Sequence, residues 1–139
     1  MAKYRNNGMS GVGFLAGADL SASTNQYLFV ALSASADTVV KGTGGSLPGP
    51  IGILQNSPCS GEEARVFGYG MFSKLQVDAS ACAITPGNFL ICASDGQGEK
   101  VTSTGSVIFN AQSIGSLASG TGVIEVIMLA PSHNLVAAS

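Results

Sequence analysis

The stretch GEEARVFGYGMFSKLQVD, residues 61–78, decides how the chain folds. Its second half alternates strictly between apolar and polar residues, which is the period of a β-strand with one buried and one wet face. The residues on the predicted buried face are Leu75 and Val77, and those on the wet face are Lys74, Gln76 and Asp78.

Two glycines, Gly68 and Gly70, interrupt the same stretch at the end of an apolar run that predicts a strand over residues 64–69. Strands of a small barrel must bend or bulge at its corners, and glycine permits both. We therefore predict that Gly68, Tyr69 and Gly70 form a bend that lets one chain segment serve two parts of a sheet.

Similar apolar runs recur along the chain at intervals of roughly 10–15 residues, with Gly-rich and Pro-rich stretches between them. The runs that predict further strands are residues 26–33, 37–41, 51–55, 89–93, 100–103 and 122–129. The clearest turn signals are Pro86-Gly87 and Asp95-Gly96, and the second of these is typical of a hairpin.

The order of these elements predicts an all-β fold, a small antiparallel β-barrel or sandwich, because no amphipathic helix longer than about ten residues is apparent. Residues 106–117 fit either a helical turn or a strand. Residues 1–25 are rich in Gly, Ala, Ser and Asn and show neither period, so we predict a flexible N-terminal arm there. The β-barrel domain is then residues 26–139.

The composition points to a surface that is largely covered by partners. The chain has 139 residues, a length typical of one domain, but only 10% are charged, against about 25% in an ordinary domain. No apolar run of about 18 residues predicts a membrane span, and residues 1–7 lead into no signal-peptide core. The net charge is −2 and the cations are scattered, which argues against nucleic acid as a partner.

No catalytic set is apparent, so the sequence predicts neither an enzyme nor a cofactor site. Glu62 and Glu63 are adjacent and would face opposite sides of a strand, whereas an acid–base pair needs both groups on one substrate. His133 is the only histidine, so it is the only candidate base for a Ser or Cys nucleophile. No metal-ligand spacing is present either.

The three cysteines are Cys59, Cys82 and Cys92. Their number is odd and none belongs to a CxxC pair, so a disulfide framework or a zinc site is not indicated. We predict that all three act as small buried hydrophobic residues.

The order of turns and strands resembles the small β-barrel decoration, or cement, proteins of tailed-phage heads. Those proteins tend to repeat a Gly-Ile strand, a Gly-Glu turn, a strand ending in Gly, a Pro-Gly turn and an Asp-Gly hairpin. The matching stretches are VVKG (39–42), PIGILQN (50–56), GEEARVFGYG (61–70) and ITPGNFLICASDGQGEKV (84–101). The resemblance covers roughly residues 26–130.

The resemblance implies a virion protein on the outer surface of the capsid, a homotrimer that clamps neighbouring major capsid subunits. Its partners would be the major capsid protein and copies of itself, with no cofactor. We predict that Tyr4, Met9, Phe14 and Leu15 of the arm, and Lys74 of the wet face, contribute to these interfaces.

Three alternatives remain open from the residues alone. The chain could be another virion module, such as a tail, adaptor or fibre-base part, and would then form rings or tubes. It could be a glycan-binding or receptor-binding β-module with saturable sugar binding. It could also be an enzyme that uses Cys92 or His133, with thiol-sensitive turnover.

Overall fold

A computed structural model describes residues 12–45, 49–102 and 105–136, with the backbone alone for residues 12, 105–107 and 131–136. The first five strands are β1 (Val12–Ala16), β2 (Phe29–Leu32), β3 (Thr38–Lys41), β4 (Gly52–Leu54) and β5 (Glu63–Phe67). The other five are β6 (Phe72–Asp78), β7 (Phe89–Cys92), β8 (Gly98–Lys100), β9 (Gly105–Ser113) and β10 (Thr121–Val136). A 3-10 turn, Ser23–Asn25, precedes β2.

The strands form two closed five-stranded barrels, which confirms the all-β fold class and shows two barrels where the sequence predicted one. The first barrel has the order β1-β3-β2-β4-β5 and closes where β5 pairs with β1. The second has the order β10-β6-β8-β7-β9 and closes where β9 pairs with β10. A ring with an odd number of strands cannot be antiparallel throughout. Accordingly each barrel contains one parallel pairing, β1 with β3 and β6 with β8.

Alternating side chains fill each barrel. In the first barrel, strands β2, β4 and β5 contribute the buried residues Val30, Leu54, Ala64 and Val66. The same apolar cluster also contains Ala16, Leu20 and Val39. In the second, β6 contributes Leu75 and Val77, both fully buried, while Lys74 on the opposite face is exposed. The predicted register of β6 is therefore confirmed.

The two barrels share a packed junction. Phe29 and Ile53 belong to strands of the first barrel, yet both are fully buried in the apolar cluster that contains Leu75. They can do so because their neighbours Val30 and Leu54 fill the first barrel and successive side chains of a strand point to opposite faces. The backbone N–H of Phe29 also donates to the carbonyl of Gly96, at 2.9 Å.

Tyr27 connects the barrels through its backbone. Its N–H donates to the carbonyl of Leu54 in the first barrel (2.8 Å), and its carbonyl accepts from the N–H of Gln76 in the second (2.7 Å). The residue has φ 70°, a left-handed conformation that is uncommon for a non-glycine residue. The two hydrogen bonds hold this conformation in place.

The prediction that residues 1–25 form an arm is wrong for the part of that segment that the structure describes. β1 lies in the wall of the first barrel, antiparallel to β5 and parallel to β3. Ala16 and Leu20 are buried in its core. The sequence of β1 shows no hydrophobic period. The segment is nevertheless a strand because its apolar side chains become buried between the two neighbouring strands. Residues 1–11 lie outside the described ranges.

The bend predicted at Gly68-Tyr69-Gly70 connects the two barrels. β5 ends at Phe67 in the first barrel and β6 begins at Phe72 in the second, so neither glycine lies within a strand. Gly70 has φ 80°. Its N–H donates to the carbonyl of Met128, which fixes the start of the second barrel.

We expect Gly70→Ala to destabilise the fold by about 1–2 kcal/mol, because a Cβ at positive φ is strained even where space is free. No atom lies within 4 Å of the added Cβ, so the strain is the only cost. The matched control is Gly68→Ala, whose Cβ would meet the Ile51 carbonyl oxygen at an ordinary 3.7 Å. That change should be neutral or stabilising by about 0.4–1 kcal/mol. If urea unfolding gave equal free energies for both variants, Gly70 would not adopt the positive φ described for this turn.

The other predicted elements match with shifted ends. The Asp95-Gly96 hairpin is confirmed, with Gly96 at φ 87° between β7 and β8. Gly87 adopts φ 91° in the predicted Pro-Gly turn. The ambiguous segment 106–117 is strand β9 up to Ser113.

Candidate functional site

The most distinctive surface of the molecule is the outer side of β6 and β10. The two strands pair antiparallel, with Phe72 opposite Ile127, Lys74 opposite Glu125 and Gln76 opposite Val123. Because Leu75, Ile124 and Val126 fill the barrel, these three pairs point outwards. Here the "β6–β10 face" means Phe72, Lys74, Val123 and Glu125, with Ile114 beside them.

Apolar side chains on this face are open to solvent. Phe72 is 70% exposed, Val123 46% and Ile114 42%. Ile114 lies at the edge of the face because its N–H donates to the carbonyl of Glu125, at 2.9 Å. Single exposed apolar residues are ordinary, but a group of them on one pair of strands is typical of a contact surface.

A shallow groove of about 320 Å³ runs beside this face at the junction of the barrels. Its first-barrel side is formed by Tyr27, Gln55 and Phe67, and its second-barrel side by Phe72, Ser73, Lys74 and Glu125. The groove thus combines three aromatic rings with a cation, a carboxylate and an amide. None of these groups is placed as a nucleophile beside a base.

Lys74, on the second barrel, is contacted by two residues from the first-barrel side of the groove. Its Nζ lies 5.9 Å from the centre of the Tyr27 ring, within the range of a cation–π contact. Its carbonyl accepts a hydrogen bond from Gln55 Nε2 at 3.0 Å. Glu125 stands opposite on β10, so the face presents neighbouring charges of both signs.

Of the other predicted interface residues, the structure describes Phe14 and Leu15, and both lie on β1 of the first barrel, away from β6. Phe14 and Leu15 are half-buried in β1, and Phe14 packs against the core of the first barrel. Leu15 is paired with both Glu63 and Thr38 through the backbone register. Tyr4 and Met9 lie outside the described residues.

The charged residues that open the quoted stretch form a turn. The Cys59 N–H donates to Oε1 of Glu62 at 2.8 Å, and the N–H of Glu62 donates back to the Cys59 carbonyl. Arg65 is exposed on β5, and its N–H donates to Asn56 Oδ1. Each of these contacts fixes the chain between β4 and β5.

The thiols differ from one another, and the prediction that all three are buried is wrong for two of them. Cys59 is exposed, Cys82 is half-buried and Cys92 is buried, and all are free. Burial raises the pKa of Cys92 from its ordinary 9.0 to about 11. The prediction failed for Cys59 because it lies in the turn before β5, where no packed layer covers it.

We expect Cys92 to resist thiol reagents at pH 8, because a pKa raised by about two units leaves about 100-fold less thiolate. In a colorimetric thiol assay Cys59 should react at once and Cys92 only after unfolding. Since the folded pKa is raised, the stabilisation linked to Cys92 is present below about pH 9 and is lost as the pH rises towards 11. Rapid labelling of the one remaining thiol, Cys92, in a variant with both Cys59→Ser and Cys82→Ser would contradict this burial.

The remaining candidates for chemistry are His133 and any group of side chains that could hold a metal ion. The backbone of His133 lies in β10 opposite Ile108, and its side chain is outside the described part. Across the described ranges no three His, Cys, Asp or Glu side chains are grouped so that they could hold a metal ion. Nor does any helix in those ranges have the length and apolarity to cross a membrane.

Comparison with known proteins identifies no relative. No family model matches the chain, and no curated protein matches its sequence at a significant level.

Proposed function

We propose that this chain is a structural protein of a tailed-phage virion, which decorates the outer surface of the capsid and clamps neighbouring major capsid subunits. The β6–β10 face is the surface that docks on the shell. The proposal is supported by the order of turns and strands, which resembles head decoration proteins, and by the all-β fold that such a likeness requires.

The single observation that carries the proposal is Phe72, which is 70% exposed on a face that also exposes Val123 and Ile114. Full burial of such a side chain is worth about 1.5–3 kcal/mol, so a partner that covers it gains affinity. Lys74 and Glu125 beside it supply charges of both signs, which fix the orientation of a partner more than they add to affinity.

Stabilisation of a capsid by such a protein follows from mass action. A ligand that binds the assembled shell, and not its separate subunits, shifts the equilibrium towards the shell. A trimer would bind through several copies of the face at once, so a weak contact at each copy yields high avidity. This requires no catalytic group.

The experiment is co-sedimentation of the purified chain with heads from which the decoration layer has been removed. We expect Phe72→Asp to lower the affinity about 10-fold to 100-fold, as loss of 1.5–3 kcal/mol implies. The matched control is Leu32→Asp, which places the same charge on a residue that is 58% exposed on the first barrel. It should bind like the unmodified chain.

Two results would overturn the proposal in different ways. If Leu32→Asp lost binding and Phe72→Asp kept it, the docking face would be wrong. If the unmodified chain did not sediment with heads but bound sugars saturably through Phe72, the chain would be a glycan-binding module.

A further inference from the structure

The N-terminal end of β9 and the C-terminal end of β10 form a ribbon that extends past the second barrel. The register between them continues for five pairs, from Ser132 with Phe109 to Val136 with Gly105, after an irregularity between Met128 and Ser132. β6 pairs with β10 over residues 121–127, and β7 pairs with β9 at Gln112 and Ala111. Among the described residues no third strand pairs with the ribbon, meaning residues 105–109 and 132–136.

Within its ten positions the ribbon lacks the features that protect free strand edges, whereas Pro131 and the irregularity of β10 lie at its base, before Ser132. Natural edge strands usually carry charges, a proline or a bulge that prevents pairing with another chain. The ribbon has no Asp, Glu, Lys, Arg or Pro at any of its ten positions. An isolated two-stranded ribbon is also marginally stable on its own. A partner strand on each edge would resolve both problems.

An apolar cluster lies at the base of the ribbon, on the outside of the second barrel. Its buried members are Val101 and Phe109, with Phe89, Ile91 and Leu129 packed against them and half-buried. Along β7, Phe89 and Ile91 alternate with Leu90 and Cys92. Because Leu90 and Cys92 fill the barrel, Phe89 and Ile91 face outwards. The Phe89 and Phe109 rings lie 4.5 Å apart. The uncharged ribbon therefore continues into an apolar surface.

We propose that the ribbons of separate copies of this chain pair edge to edge, β9 of one copy with β10 of the next. The partner must offer two uncharged extended edges of about five residues, roughly 17 Å. The ribbon itself offers both, and a single foreign strand would cover only one edge.

Three copies related by a three-fold axis satisfy this pairing completely. With the ribbons side by side and pointing the same way, every β10 lies antiparallel to the β9 of its neighbour. Three ribbons then close into a six-stranded barrel without edges, and closure removes the edge problem altogether. The choice of three copies rests on the proposed function, whereas the pairing of ribbon edges does not.

Hydrogen exchange at graded protein concentrations tests the pairing. At concentrations where light scattering gives the mass of one chain, the amides of residues 105–109 and 132–136 should exchange rapidly. At concentrations where it gives the mass of three chains, exchange of these amides should be at least 10-fold slower. The amides of residues 72–78 should stay protected at every concentration. Ribbon amides that exchange equally fast in both states would overturn the proposal, and so would a chain that remains monomeric up to millimolar concentration.

Proline substitutions test the same edge without disturbing the barrel. Along a strand, successive N–H groups point to opposite sides, so one of Val107 and Ile108 directs its N–H to the free edge of β9. Of Val107→Pro and Ile108→Pro, the variant that removes the N–H on the free edge should raise the trimer dissociation constant at least 10-fold with the barrel still folded. The control is Ser119→Pro, in the exposed loop between β9 and β10. Trimers that persist in both ribbon variants would overturn the proposal.

The result is separable from the proposed function. Phe72→Asp, on the β6–β10 face, should leave the trimer intact while it weakens attachment to heads. An intact ribbon trimer whose head binding is unchanged by Phe72→Asp would count against the docking face alone, and an unmodified chain that binds heads without ribbon pairing would count against the ribbon alone.

Discussion

Leu75→Asp is expected to abolish the cooperative thermal transition of the protein. Leu75 is fully buried in the cluster that joins both barrels, together with Phe29, Ile53 and Val77. A carboxylate at this position has no cation in the cluster to pair with. Burying a charge without a partner costs several kcal/mol, and a domain of this size has a total stability of about 5–15 kcal/mol. The shared cluster means that both barrels should unfold together.

The matched control is Val123→Asp, which introduces the same side chain on the exposed side of the neighbouring strand. Its cost should be about 1 kcal/mol or less, the span of strand propensity. The measurement is thermal unfolding of the two variants, followed by circular dichroism. If Leu75→Asp melted like the unmodified protein while Val123→Asp unfolded, the two faces of the β6–β10 pair would be reversed.

Gly52→Ala is expected to be the most damaging single-methyl change among the strand glycines. A Cβ at Gly52 would lie 2.5 Å from the backbone oxygen of Phe67 and 2.5 Å from Val66 Cγ1. The carbonyl oxygen cannot rotate away as a side chain can, so β4 must move from β5. Overpacking of this kind costs about 1–3 kcal/mol, and we expect the melting temperature to fall by roughly 3–10 °C.

Gly44→Ala is the control for this variant, because nothing lies within 4 Å of a Cβ added there. It should leave the melting temperature within a degree or two, since substitutions in open space usually change stability by less than about 0.5 kcal/mol. A Gly52→Ala protein as stable as Gly44→Ala would mean that β4 does not approach β5 as closely as described.

Local patterns predicted much of the fold. Strict alternation in β6 placed Leu75 and Val77 inside and Lys74 outside, because the side-chain period of a strand is two. Turn chemistry placed the positive-φ glycines at 87 and 96 correctly, since few other residues adopt that conformation. These features depend on neighbours along the chain, which the sequence displays directly.

The features that were missed depend on partners distant in the sequence. β1 has no period of its own and is a strand because β3 and β5 lie on either side of it. The division into two barrels is set by closures such as β5 with β1, for which the chain carries no local signal.

The candidate face was predictable in part. Extending the alternation of β6 back by one residue places Phe72 on the wet side, where an exposed aromatic residue is a signal of binding. Val123 and Ile114 could not be added in this way, because only the pairing of β10 with β6 and the hydrogen bond from Ile114 to Glu125 bring them to the same face as Phe72. The alternation placed Lys74 on the outer side of β6, whereas its contact with Tyr27 depends on the junction of the barrels.

Imaging of native phage heads, at a resolution that traces side chains, tests whether the β6–β10 face docks on the capsid. We expect density for this chain on the outer surface of the shell, with Phe72 and Val123 within about 4 Å of a capsid subunit, the distance of an apolar contact. Density for the chain in the tail, or on the head with the β6–β10 face open to solvent, would contradict this expectation.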